Sequence, residues 1–322
     1  MKTIAKVCSV TIIALICLAL FAKYWFLSGD NISPPKLPGI TENGTVLHQG
    51  HERQWLSYVP ASQTDKPQLL LFFRGSGADG AMARSGTYYR FDLLAEQHGF
   101  IVVYPTGFEK NWNGCRKAAS TSANLQQIDD VGFVRKLITE MSTRYGIDEQ
   151  GVFVAGMSNG GHMVYRLAYE APELVTGAAA IMANLPTDAN SECKPEAQPV
   201  PMMILTGTAD PINPYNGGEV TVYGESRGTV KSAFNSARYW AELNDHSGKG
   251  NNKVWPKSQS ADETSVESLH WAEPDKFPVT LLTVHGGGHT FPNLLYSAPR
   301  ILGTTSHELD AAEVIWAFFS EL

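Results

Sequence analysis

From about residue 46 onward the chain alternates short, unbroken apolar runs with amphipathic stretches. This alternation predicts a mainly parallel sheet covered by helices, because strands buried on both faces have no polar side to show. The runs predict strands at 55–59, 69–73, 101–104, 152–155, 178–182, 202–205 and 279–284. Val131, Val134, Leu137, Ile138 and Met141 recur at helical spacing and predict a helix over 131–145, stopped by Gly146. Residues 230–243 and 309–319 carry similar patterns. The stretch 245–278 is polar, poor in aliphatics and broken by Gly and Pro, so it predicts a long surface excursion before the last strand.

The N-terminus follows a different pattern. Met1-Lys2-Thr3-Ile4-Ala5-Lys6 carries two cations and no acid, and an apolar run follows over 7–22. That is the form of an export signal, but Leu20-Phe21-Ala22 lacks the small residue wanted three positions before a cleavage point. Lys23 can snorkel, and Tyr24 and Trp25 suit a membrane interface, so the segment reads as an uncleaved anchor. The expected organisation is a signal or anchor segment over 1–29, a linker over 30–45 and one α/β domain over 46–322. That domain is expected outside the cytoplasm, tethered to the membrane or, if the leader is cut, secreted. Its two cysteines, Cys115 and Cys193, invite pairing in an oxidising compartment.

Charge narrows the partners. With 25 Lys and Arg against 32 Asp and Glu, the net charge is −7, which offers no basic footprint for nucleic acid. A small ligand is expected instead, with membrane contact through the N-terminal segment only.

In open α/β sheets chemistry gathers where strands end and loops begin. Gly156-Met157-Ser158-Asn159-Gly160 directly follows the apolar run 152–155 and leads into a helical pattern, the strand–turn–helix setting that a Gly-x-Ser-x-Gly nucleophile requires. A second copy, Gly224-Glu225-Ser226-Arg227-Gly228, follows a stretch that alternates with polar residues and reads as a surface hairpin, so Ser158 is the expected nucleophile. A serine hydroxyl needs a base, and the base needs an orienting acid. Asp210 closes the run 202–210 just beyond a strand, and His289 follows a strand and the run Gly286-Gly287-Gly288. His285 competes with His289 but still belongs to the strand end. Three consecutive glycines rule out presenting both imidazoles from one helix, so neither a metal nor any other cofactor is expected. The oxyanion of a tetrahedral intermediate needs backbone donors. One is the amide of Asn159, and the other lies in the loop that follows 69–73, Arg74-Gly75-Ser76-Gly77.

Taken with Tyr104-Pro105-Thr106-Gly107, Trp112-Asn113, Asp129-Asp130-Val131-Gly132-Phe133, Gly207-Thr208-Ala209-Asp210-Pro211, Gly286-Gly287-Gly288-His289-Thr290-Phe291-Pro292 and Asp310-Ala311-Ala312-Glu313-Val314-Ile315-Trp316, the body resembles the esterase family of poly(3-hydroxybutyrate) depolymerases, feruloyl esterases and acetyl xylan esterases. The resemblance implies an α/β-hydrolase fold without a large cap domain, a Ser158, Asp210 and His289 triad, and the amide of Ser76 as the second oxyanion donor. Members usually carry His where this chain has Arg74. Asp129-Asp130 reads more simply as a helix N-cap. Trp112 stands either as a lining of the substrate pocket or as a core residue. The implied activity is hydrolysis of short-chain hydroxyacyl, acetyl or hydroxycinnamoyl esters, small or oligomeric. The alternatives are a depolymerase acting on polymer and a serine peptidase of the same fold.

Overall fold

The apolar runs form the middle of a ten-stranded sheet in the computed structural model, which describes residues 15–18, 20–30, 32–193, 198–222, 224–258 and 262–322. In chain order the strands of this sheet are β1 (Ile40–His48), β2 (His51–Val59), β3 (Leu69–Phe73), β4 (Ile101–Pro105), β5 (Val152–Met157), β6 (Gly177–Ile181), β7 (Met202–Gly207), β10 (Asn251–Val254), β11 (Ser265–Trp271) and β12 (Val279–His285). Two further strands, β8 (Gly218–Val222) and β9 (Glu225–Val230), pair only with each other. The spatial order is β1-β2-β4-β3-β5-β6-β7-β12-β11-β10. Every pairing from β4 to β12 is parallel, and the outer pairings are antiparallel. Each residue of β3, β5, β6 and β7 is buried, as strands covered on both faces must be.

Side chains alternate across these strands and feed two separate cores. Leu69 and Leu71 join Phe133, Leu137, Val164, Leu167 and Trp240, so helices Asp130–Tyr145, Asn159–Glu170 and Ala233–Leu243 cover one face. Leu70 and Phe72 join Phe91, Leu94, Ile315, Trp316 and Phe319, so helices Arg90–His98 and Ala311–Ser320 cover the other. This mainly parallel sheet, flanked by helices and without a large cap insertion, is the α/β-hydrolase fold.

Three readings change. The stretch 245–278 is not a plain excursion, because it contributes β10 and β11 as an antiparallel extension of β12. Its alternation was hidden because a buried position of β11 holds a polar residue, Ser268, which is fully buried and receives the Trp255 indole N–H at 2.9 Å. Val230 belongs to β9, and the helix after it begins at Ala233 behind Ser232, whose hydroxyl accepts the Asn235 amide at 3.1 Å. The sheet also starts earlier than 46, at Ile40.

Cys115 and Cys193 are joined in a disulfide across 78 residues of sequence. The leader expected over 1–29 lies in large part outside the described residues; of its described residues 15–18 and 20–27 are helical. No helix among the described residues is long and apolar enough to cross a membrane.

Candidate active site

Strand β5 ends at Met157 and a helix begins at Asn159, leaving Ser158 alone at the turn with φ +58° and ψ −120°. A side chain in so sparsely populated a conformation costs about 1–3 kcal/mol and persists only where its surroundings impose it. Here they do. The Ser158 amide donates to the Ile181 carbonyl at 2.8 Å, and its own carbonyl accepts the His162 amide at 3.1 Å. The helix sits so close to β3 that a Cβ on Gly160 would stand 2.0 Å from the Phe73 carbonyl oxygen. Asn159 is the first helical residue, so its N–H has no partner within the helix and is free to meet a ligand.

Asp210 follows β7 and divides its carboxylate between two duties. Oδ1 accepts the amides of Ile212 and Asn213, each at 2.8 Å, and Oδ2 meets His289 Nδ1 at 2.8 Å. The Asp210 side chain is fully buried and His289 is 5% exposed. The His289 backbone is fixed by donation to the Leu302 carbonyl at 2.6 Å. That approach needs the glycine before it, since a Cβ on Gly288 would stand 2.2 Å from the same oxygen. His285 goes elsewhere: at the end of β12 it is half exposed and faces Glu267 at 3.2 Å. Among the described residues, no group of three or more His, Cys, Asp or Glu is arranged to hold a metal ion.

The loop after β3 lies against Ser158. A Cβ on Gly75 would be 3.0 Å from Ser158 Cβ and 3.5 Å from its Oγ, which brings the neighbouring Ser76 to the same place. Two bonds hold the loop: the Gly77 amide donates to Lys110 O at 2.8 Å, and the Trp112 indole donates to Arg74 O at 3.0 Å. Arg74 packs against Gly86 and reaches the Met157 sulfur, and its burial lowers the guanidinium pKa.

Trp112 is 2% exposed, set edge-on to Phe73 at 5.0 Å and parallel to Phe133. The Asn159 side chain bonds its backbone twice, Oδ1 accepting the Trp112 amide at 2.7 Å and Nδ2 donating to its carbonyl at 3.0 Å. Trp112 therefore ties the loop after β3 to the start of the helix that follows Ser158. Ser226, by contrast, lies exposed in β9, and its Oγ accepts the Gly228 amide at 3.1 Å.

Asp130 is more than a cap residue. The cap is Asp129, whose Oδ1 accepts the Gly132 amide at 2.8 Å. Asp130 is fully buried, where it accepts Arg53 Nη2 at 2.6 Å and the Asn113 amide at 2.7 Å. It thus anchors the segment that carries Trp112. The available signal was Arg53, a cation at a position of β2 that turns out to be 3% exposed.

No family model matches the chain. NocK of Nocardia uniformis subsp. tsuyamanensis, a protein named as an esterase, is 26% identical over 265 residues, covering 79% of this chain and 74% of that protein. Feruloyl esterase B of Piromyces equi is 30% identical over 163 residues, half of this chain but only 29% of the relative. Among solved structures, the acetyl xylan esterase from Aspergillus awamori shares the fold at a TM-score of 0.54 and 18% identity, covering 78% of this chain and 95% of that one. The relatives support the feruloyl and acetylxylan esterase side of the resemblance and not its poly(3-hydroxybutyrate) depolymerase side. With this fold and these relatives, the chain is a distantly related esterase of the α/β-hydrolase superfamily, an enzyme that acts on ester bonds.

Proposed function

We propose that Ser158, Asp210 and His289 act as nucleophile, orienting acid and base, and cleave carboxylic esters through a covalent acyl-enzyme. The observation that carries this reading is the 2.8 Å bond between His289 Nδ1 and the fully buried Asp210 carboxylate. With Nδ1 donating to Asp210, His289 Nε2 is left to take the Ser158 proton. Oγ then adds to the ester carbonyl, and the amides of Ser76 and Asn159 meet the oxyanion. Each such donor is worth about 10²–10³ in rate. As the intermediate collapses, the C–O bond to the alcohol breaks and Nε2 returns its proton to the departing oxygen. Water repeats the cycle on the acyl-enzyme and releases the acid. Because Asp210 Oδ1 is occupied by two backbone amides, Oδ2 stays aligned on the imidazole when it becomes charged.

The substrates we propose are short-chain hydroxyacyl, acetyl or hydroxycinnamoyl esters, small or oligomeric. The names of the feruloyl and acetyl xylan esterases support this range. The Cys115–Cys193 bond supports export to an oxidising compartment, with residues 1–29 as signal or anchor. The reading is tested by fluorophosphonate labelling, followed by turnover of p-nitrophenyl butyrate, methyl ferulate and hydroxybutyrate oligomers. Labelling is expected to vanish in Ser158→Ala. Labelling that persists there and vanishes in Ser226→Ala would sink the assignment.

A further inference from the structure

Arg116 adjoins the disulfide at Cys115 and is 4% exposed, yet no acid among the described residues answers its charge. Its Nε is fully buried without a hydrogen-bond acceptor, and among the described residues no carboxylate pairs with it. Burial above all, with the neighbouring cation Arg227 adding to it, lowers the Arg116 pKa to about 9. A buried guanidinium without a counter-ion is an arrangement that folding alone does not reward. Arg53, buried to the same degree, has Asp130 as its acid, whereas Arg74, also desolvated and without an acid, reaches the Met157 sulfur.

The location gives the unpaired cation a use. Segment 112–116 runs along the start of the nucleophile helix. Asn159 holds Trp112, Arg166 Nη1 donates to Asn113 O at 2.9 Å, and a Cβ on Gly114 would stand 2.7 Å from His162 Cβ. His162 is itself 2% exposed with Nδ1 unpartnered, and both Arg116 and His289 act electrostatically on its ring. Burial, the largest cause, holds that imidazole well below its ordinary pKa, so it stays neutral and does not compete for an anion. The second cation comes from the other Gly-x-Ser-x-Gly segment. Asn190 accepts the Lys117 amide on its carbonyl at 2.7 Å and donates Nδ2 to the Arg227 carbonyl at 3.1 Å, which fastens the β8–β9 hairpin to the Arg116 loop.

We propose that Arg116 is a subsite for a substrate carboxylate: the ester cleaved at Ser158 carries a second, free carboxylate on its acyl or its alcohol part, and the planar guanidinium receives it. The fork of N–H donors matches a carboxylate in shape and charge. Arg227 adds to the local positive field. The net charge of −7 works against an anion, so a preference for one must come from this locality. The inference deepens the esterase reading and rests on it.

Two pairs of esters test it in the full-length protein and separate the acyl from the alcohol side: mono-p-nitrophenyl glutarate against p-nitrophenyl butyrate, and 3-acetoxybutyrate against its methyl ester. In at least one pair the acid is expected to have the higher kcat/KM, by about 10- to 100-fold, the worth of a hydrogen bond to a charged group. That ratio should collapse toward one in Arg116→Met and partly return in Arg116→Lys. The unmodified protein alone can overturn the subsite, whatever the variants do: neutral esters turned over at least as well as the acids in both pairs would remove it and leave the esterase reading intact. A ratio that Arg116→Met leaves unchanged would also remove it. Absence of turnover on all four esters, together with no fluorophosphonate labelling, would remove the esterase reading and the subsite with it.

Discussion

Gly156-Met157-Ser158-Asn159-Gly160 spans the junction between a buried strand and a helix, whereas Gly224-Glu225-Ser226-Arg227-Gly228 runs from the turn of an exposed hairpin into its second strand. In the first, the serine takes φ +58° and the last glycine lies where a Cβ would meet the Phe73 carbonyl. In the second, the opening glycine takes φ +82° with nothing within 4 Å, and the serine is an ordinary strand residue. The same pentapeptide pattern thus serves opposite needs. The first set of glycines permits close packing on backbone, whereas in the second Gly224 permits an open turn and Gly228 leaves room for the Asn190 side chain. What suits one serine to the proposed role is the fully buried strand before it, which starts the helix at the carboxyl end of a central strand.

Four experiments bear on this contrast. Ser158→Ala is expected to lower kcat for p-nitrophenyl butyrate by about 10⁶-fold, in line with the loss of another serine nucleophile, while Ser226→Ala stays within roughly two-fold. Asp210→Asn keeps the shape but favours the wrong imidazole tautomer, and about a 10⁴-fold loss in kcat is expected. Comparable losses at Ser226 would erase the distinction between the two segments. The stability of the region between them is next. Converting Cys115 and Cys193 to Ser should cost about 2–4 kcal/mol in urea unfolding. An unchanged midpoint would mean that the loop joining the hairpin to the helix after Ser158 is held by its hydrogen bonds alone. Last come the glycines. Gly160→Ala should cost more than Gly224→Ala, because overpacking against backbone costs about 1–3 kcal/mol and cannot be relieved. An alanine in an open left-handed turn costs about 1–2 kcal/mol at most. Equal unfolding midpoints would overturn the packing account of the first segment.

The parts legible in the sequence were those whose physics is local. Strands β3, β5, β7 and β12 announce themselves by runs dominated by apolar residues, broken only by threonines and the closing His285 in the last two, and Ser158, Asp210 and His289 each stand just beyond such a run. Strand β1 has no fully buried residue, and β11 places polar Ser268 inward, so neither shows the expected alternation. Non-local pairs were equally hidden. Asp130 depends on Arg53, 77 positions earlier, and the isolation of Arg116 is visible only once the surrounding chain is in place. Trp112 remained open for the same reason. Its burial comes from Phe73, Phe133 and the Asn159 side chain, which sequence spacing does not bring together.

The antiparallel extension at the far side of the sheet also bears on how the protein behaves in a crowded solution. An open parallel sheet ends in rows of unpaired amides and carbonyls that a second chain could extend. Here that boundary has been moved from β12 outward to β10, four residues long, exposed throughout and carrying Lys253. A template so short, so wet and so charged offers an incoming strand few hydrogen bonds and little apolar surface beyond Val254. Deleting β10 and β11 would leave β12, whose first six residues are buried, as the sheet's border, and self-association at high concentration is the behaviour that border would invite.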